Sequence, residues 1–232
     1  MIPIFIINRD RLVPLKELVK FLFKRNYTNI TIIDNGSTYK PLLDWYRGCP
    51  ASVYHNETNQ QGNESLHHLA YTFKIEPFYS AVTSGNFVLT DSDINPIPEI
   101  PDNFIEDMAE VCNRYKKHKV GLGLKIDDMP DHFYNKGLVL GIESPFWRNH
   151  IVHKKIPLYQ APIDTTFAVY GKGTVATHGM DCFRTGGNYV ARHAGWYYDY
   201  DNLPEDESHY LKNLKIGQGL SWSEWSKQDK NL

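Results

Sequence analysis

The chain has 232 residues, enough for one domain with a sizeable core. Its 25 basic and 27 acidic side chains leave a formal charge of −2, which excludes a global electrostatic pull toward nucleic acid or an anionic membrane. Cys49, Cys112 and Cys182 are odd in number and far apart, with no Cys-x-x-Cys, so neither a zinc ribbon nor a disulfide framework is indicated. Residues 2–7 form an apolar run with no basic region ahead of it and a polar stop at Asn8. That pattern predicts a first strand, not a signal peptide or membrane span. Leu12, Leu15, Leu18, Val19, Leu22 and Phe23 follow at helical spacing, with Pro14 tolerable in the first turn. A second strand over 30–33 stops at Asp34-Asn35-Gly36-Ser37, and a helix around 42–46 follows.

Further along, the pattern predicts a short strand near 52–54, a polar loop through Gly62 and a helix over 64–82. A strand over 86–90 then ends at Asp91-Ser92-Asp93, followed by a helix over 103–117 and a strand over 120–124. Such alternation argues for an α/β fold with a mostly parallel central sheet flanked by helices. Beyond 125 the regularity breaks down into short segments such as 166–170 and 188–192. An acidic helix over 205–214 precedes a polar tail carrying Trp222 and Trp225. With no internal repeat or linker, residues 1–232 read as a single domain: a nucleotide-binding half, 1–125, and an irregular acceptor half, 126–232. Aromatic residues make up 13% of the chain, and their density in the second half suits a carbohydrate or base-stacking surface. Sequons at Asn26, Asn29, Asn35, Asn56 and Asn63 argue against folding in a secretory lumen, so a cytoplasmic location is expected.

Three strand ends in the first half carry polar groups: Asn8-Arg9-Asp10, Asp34-Asn35-Gly36-Ser37 and Asp91-Ser92-Asp93. In a doubly wound sheet such ends share one edge, where ligands bind. Two carboxylates one residue apart in an irregular segment suit a hard divalent ion that also takes phosphate oxygens from its ligand. Taken alone, an Asp-x-Asp is equally a turn, and Asp34-Asn35-Gly36-Ser37 is equally an N-capped strand-to-helix connection.

Taken together, residues 4–9, 32–38 and 88–93 resemble the nucleotide-sugar half of GT-A-fold glycosyltransferases, particularly the large family-2-like group. The resemblance covers residues 1–125 in order and spacing. It implies a nucleotide-diphospho-sugar transferase fold and a UDP-linked donor. Asn8, Arg9, Asp34, Asn35 and Ser92 would contact nucleotide, and Asp91 and Asp93 would hold Mn²⁺ or Mg²⁺ across the donor diphosphate. His193, in Arg192-His193-Ala194-Gly195, resembles the C-terminal His-x-Gly histidine that many such enzymes add as a metal ligand. The stretch 193–210 also resembles the tail of small bacterial and algal-virus glycosyltransferases. The implied activity is metal-dependent transfer of a sugar to a glycan or glycoconjugate acceptor.

Glycosyl transfer through an inverting route needs a carboxylate to take the acceptor's proton, and Asp164 in the irregular half is the first candidate. Glu207, in Asp206-Glu207-Ser208-His209, resembles a motif of retaining blood-group-type transferases and is the rival catalytic carboxylate. Its dipole explanation is an acid-rich helix N-terminus. Asp127, Asp128 and Asp131 read as a solvated acidic loop. The chain lacks a clear Glu-Asp pair and the Gln-x-x-Arg-Trp of processive synthases, which leaves stereochemistry open and argues against polymerisation. One rival, a sugar-1-phosphate nucleotidyltransferase, wants a Gly-rich basic loop after the first strand, and Asn8-Arg9-Asp10-Arg11 is not Gly-rich. Another is a non-catalytic nucleotide- or carbohydrate-binding module. A metal phosphoesterase wants more His and Asp ligands than these strand ends offer.

Overall fold

The run Ile-Phe-Ile-Ile-Asn folds as β1 (Ile4–Asn8), buried along its whole length. Alternation sends Ile4 and Ile6 into one hydrophobic cluster and Phe5 and Ile7 into another, so the strand is covered on both faces. The computed structural model describes residues 1–56, 66–163, 166–174 and 181–214. Helix α1 (Val13–Lys24) buries Leu15, Leu18, Val19 and Leu22 against the first cluster, with Pro14 in its opening turn. Next come β2 (Ile30–Asn35), α2 (Lys40–Tyr46) and β3 (Ser52–Asn56).

The helix expected over 64–82 is broken. Its described part is a π-helical turn, His68–Thr72, and a separate α3 (Phe78–Ser84). Lys74 takes a positive φ of 51°, and Pro77, which cannot donate a backbone hydrogen bond, opens the second piece. Both pieces cover the second cluster through Leu69, Ala70, Phe78 and Val82. Strand β4 (Phe87–Asp91), a short β5 (Ile94–Pro96), α4 (Phe104–Arg114) and β6 (Lys119–Leu124) complete the first half.

The second half holds elements that the sequence pattern did not reveal. They are α5 (Lys136–Glu143) and the hairpin β7 (His150–His153) with β8 (Ile156–Gln160). Strands β9 (Ala168–Tyr170) and β10 (Cys182–His193) match the expected segments, although β10 is twelve residues long. Helix α6 (Glu205–Asn213) matches the acidic segment closely.

The ten strands among the described residues form one sheet in the order β3-β2-β1-β4-β9-β6-β10-β8-β7, with β5 on β10. The block β3-β2-β1-β4 is parallel, as the alternation requires. Beyond it the mostly parallel expectation fails. Strand β9 runs antiparallel between β4 and β6, and β8 and β5 run antiparallel to β10. Strands β7 and β8 form a hairpin turning at Lys154 and Lys155. Strands β9 and β5 are inserted from distant parts of the chain, and β6 still runs parallel to β10, so this half of the sheet is mixed. Chain order runs outward from β1 to β3, then resumes at β4 on the other side of β1. The crevice at the carboxyl ends of β1 and β4 is therefore a topological switch point.

Beside a bulge between Thr185 and Val190, β6 packs tightly on β10. A Cβ at Gly123 would sit 2.4 Å from the Thr185 carbonyl oxygen and 2.4 Å from the Trp147 ring. Gly123→Ala is expected to destabilise the fold by about 1–3 kcal/mol, because backbone blocks relief. Urea unfolding that matches the parent chain would contradict this.

Candidate functional site

The parallel register sets Asn8 opposite Asp34, Asp34 opposite His55, and Ile7 opposite Asp91. Three polar strand ends therefore line one sheet edge, and two buried networks spread from them. In the first, Asn8 Nδ2 donates to the Tyr46 hydroxyl at 2.9 Å, and that hydroxyl donates to Asp34 Oδ1 at 3.0 Å. Ser37 gives Asp34 both its hydroxyl and its backbone N–H, and His55 Nδ1 lies 3.5 Å from Asp34 Oδ2. Burial first, then the Asp34 charge, pushes the Tyr46 phenol well above its usual range, so it stays a donor. Asp10, at a positive φ of 56°, accepts the backbone N–H groups of Thr38 (2.6 Å) and Tyr39 (2.9 Å) ahead of α2.

Tyr46→Phe removes the bridge and strands the buried Asn8 amide. A loss of about 1–3 kcal/mol in unfolding free energy is expected. An unchanged denaturation midpoint would show that the bridge is dispensable.

The second network centres on Arg11. Its guanidinium forks onto Glu207 at 2.8 and 3.1 Å, reaches Asp93 Oδ2 at 3.2 Å and lies 3.9 Å above the Tyr210 ring. Burial opposes the Arg11 charge, but Glu207 and Asp93 outweigh it and hold the guanidinium well above its usual value. Burial likewise works against the Asp93 carboxylate. Arg11 and His193 overcome that, so Asp93 titrates below the usual carboxylate range.

His193 reaches this network through register: β5 pairs with the end of β10, and His193 stands opposite Ile94. Its Nε2 lies 3.7 Å from Asp93 Oδ2, its ring stacks on Trp196, and its Nδ1 is buried without a hydrogen bond among the described residues. Helix α6 closes the network. Helix α1 begins after Leu12, which offers no side-chain cap, and Asp206 Oδ2 accepts from the backbone N–H groups of Leu12 and Val13 at 2.7 Å each.

The edge thus brings together Asn8, Asp34, Asp91, Asp93, His193 and Glu207. Asp91 is half-buried at the end of β4; Ser92 is buried and donates its N–H to the Ile7 carbonyl. Asn35 accepts from Asn56, and Arg9 Nε lies 3.9 Å from Asp10 Oδ2, with no hydrogen bond among the described residues. Asp164 and the two tail tryptophans lie outside the described residues. Asp128, expected in a solvated loop, accepts hydrogen bonds from Arg192 and Tyr197.

Sequence reasoning gave no role to Tyr46, Asp206, His209 or Tyr210. His209 joins the edge through Thr38, at 2.9 Å from its hydroxyl. A signal for Asp206 existed: an amphipathic helix starting after leucine must take its cap from elsewhere.

No three His, Cys, Asp or Glu side chains converge as a metal cage among the described residues, and Asp93 pairs with Arg11. The donor chemistry nevertheless suits a hard dication. Six carboxylates (Asp10, Asp34, Asp91, Asp93, Asp206 and Glu207) belong to these networks and strand ends, where Arg9 approaches Asp10 and Arg11 pairs with Asp93 and Glu207. Asp10 Oδ2 and Asp206 Oδ1 are buried without a hydrogen-bond partner among the described residues.

These features define a mixed α/β protein with a polar, switch-point edge. No helix among the described residues is long and apolar enough to cross a membrane. No protein family matches the chain, and no curated protein does. Among solved structures, the chain is similar to a candidate glucose-1-phosphate thymidylyltransferase from Bacillus anthracis, in complex with a sucrose. That likeness covers 93% of this chain and 76% of the other, at 13% identity and a TM-score of 0.36.

Proposed function

We propose that the chain is a metal-dependent glycosyltransferase that moves a sugar from a nucleotide-diphosphate donor, UDP-linked, to a glycan or glycoconjugate acceptor. The observation that carries this reading is the register that aligns Asn8, Asp34 and Asp91 at the switch point, with Asp93 and His193 beside them. Asp34, with the unpaired Oδ1 of buried Asn8, offers acceptors to the imino and hydroxyl hydrogens of a nucleoside. Arg9 supplies an unsatisfied cationic donor on the same strand end.

An edge with more carboxylates than guanidiniums repels a diphosphate, so a cation is needed. Asp91 and Asp93, with His193, would hold Mn²⁺ or Mg²⁺ there. When bound, such an ion neutralises the charge that develops on the departing diphosphate. For Glu207 to act on a sugar, Arg11 must first release it, since the fork engages both its oxygens. Asp164 remains the proposed base for an inverting route.

The test is a panel of nucleotide sugars incubated with the protein, with and without Mn²⁺, and read by nucleotide release. Metal-dependent release of UDP supports the reading. Pyrophosphate-linked exchange between a nucleoside triphosphate and a sugar 1-phosphate would instead identify a nucleotidyltransferase. Absence of nucleotide binding under all conditions would overturn both.

A further inference from the structure

Helix α6 is held to the edge by carboxylates as much as by its rings and Leu211. Of its nine residues, the buried ones are Asp206, Glu207 and Leu211, and only the last is apolar. Asp206 sits on the amides that open the twelve-residue α1, and Glu207 sits on the fork of Arg11. Helix-opening amides and a guanidinium fork are the two donor types that bind phosphoryl oxygens best. Here two consecutive carboxylates satisfy them.

The latch is also imperfect. Asp206 is 2% exposed, yet its Oδ1 has no hydrogen-bond partner among the described residues. A buried carboxylate oxygen left unpaired costs free energy that a better-matched ligand does not have to meet.

We propose that the opening of α1 together with Arg11 is a diphosphate-binding site, and that the acidic first turn of α6 occupies it as an intramolecular competitor. Diphosphate entry and α6 attachment are then mutually exclusive. The bound anion takes over the Leu12 and Val13 amides and the Arg11 fork, and α6 detaches with Asp206 and Glu207 returned to water. This rests on the reading that the edge accepts a diphosphate donor. It adds that the edge is self-inhibited until such a ligand arrives, and that Arg11 selects for the diphosphate.

The experiment is hydrogen exchange of the 205–213 backbone in the full chain, with inorganic pyrophosphate and Mn²⁺ compared with Mn²⁺ alone, at constant ionic strength. Exchange across α6 is expected to accelerate at least tenfold at saturating pyrophosphate, while the Leu12 and Val13 amides stay protected. Pyrophosphate that binds without accelerating α6, or fails to bind, overturns the proposal.

The double variant Asp206→Asn, Glu207→Gln keeps oxygen acceptors on the same donors but removes both charges. It is expected to bind pyrophosphate at least tenfold more tightly than the parent, and equal or weaker binding counts against the competitor. Should that variant not fold, the exchange measurement on the parent chain still decides. UDP bound with Mn²⁺ while α6 stays protected would sink this inference and leave the glycosyltransferase reading intact. Release of α6 by pyrophosphate without turnover of any nucleotide sugar would do the reverse.

Discussion

Arg11→Met is expected to be among the most destabilising single changes in the chain, at about 3–5 kcal/mol. The guanidinium is the shared counter-ion of Glu207, 1% exposed, and Asp93, 3% exposed. Methionine fills much of the same space but leaves both carboxylates buried and uncompensated. For a chain of this length the loss corresponds to a fall in melting temperature on the order of 10 °C. Circular dichroism melts at neutral pH measure it.

Adding Glu207→Gln to Arg11→Met should recover part of the loss, since one of the stranded charges is then gone. The pH dependence has a definite sign. The Asp93 carboxyl is held below its unfolded value, so its contribution is complete above about pH 4 and fades as pH falls through the folded value. The gap between parent and Arg11→Met should therefore narrow on acidification. The narrowing starts where the variant's stranded carboxylates take up protons and ends below about pH 4, where the parent's Asp93 is protonated too. A variant that melts with the parent at neutral pH would show that Arg11 is not the hub of the edge.

The parallel block was legible because burial on both faces leaves no polar alternation to obscure it. Ile4–Asn8, Ile30–Asn35 and Phe87–Asp91 read as near-continuous apolar runs ending in acid or amide. That legibility extended to the candidate edge, because strand ends are local features. The rest depends on tertiary pairing. Arg11 and Glu207 are 196 positions apart, and neither carries a local mark of the other.

The first half of β10 hides for a different reason: Gly186 and Gly187 separate it, at a bulge, from the expected segment 188–192. In β7, Ile151 and Val152 are both exposed at the sheet's margin, so neither face gives the period-two pattern that identifies a half-buried strand. The acid-rich start of α6 fitted a helix-dipole account, yet its charges are spent outside their own helix. Asp206 caps α1, and Glu207 pairs with Arg11.

Asp91→Asn and Asp93→Asn are expected to separate the chemistry of the edge from its stability. Under the proposed function each change removes one charge from the cation's ligands, and transfer should drop by about 10³-fold or more. Their folding costs differ. Asp91 is half-buried at a strand end, so its amide variant should melt close to the parent. Asp93 is buried against Arg11 and His193, and neutralising it should forfeit a charge-assisted contact of about 1.5–3 kcal/mol. Mn²⁺-dependent UDP binding, followed by calorimetry, should fail in both. The decisive result is Asp91→Asn, where a folded protein isolates the functional effect. Undiminished Mn²⁺-dependent UDP binding in that variant would remove Asp91 from the site. Loss of binding at parent-like stability would tie the end of β4 to the donor's diphosphate and leave Arg11 and α6 to decide when that diphosphate can enter.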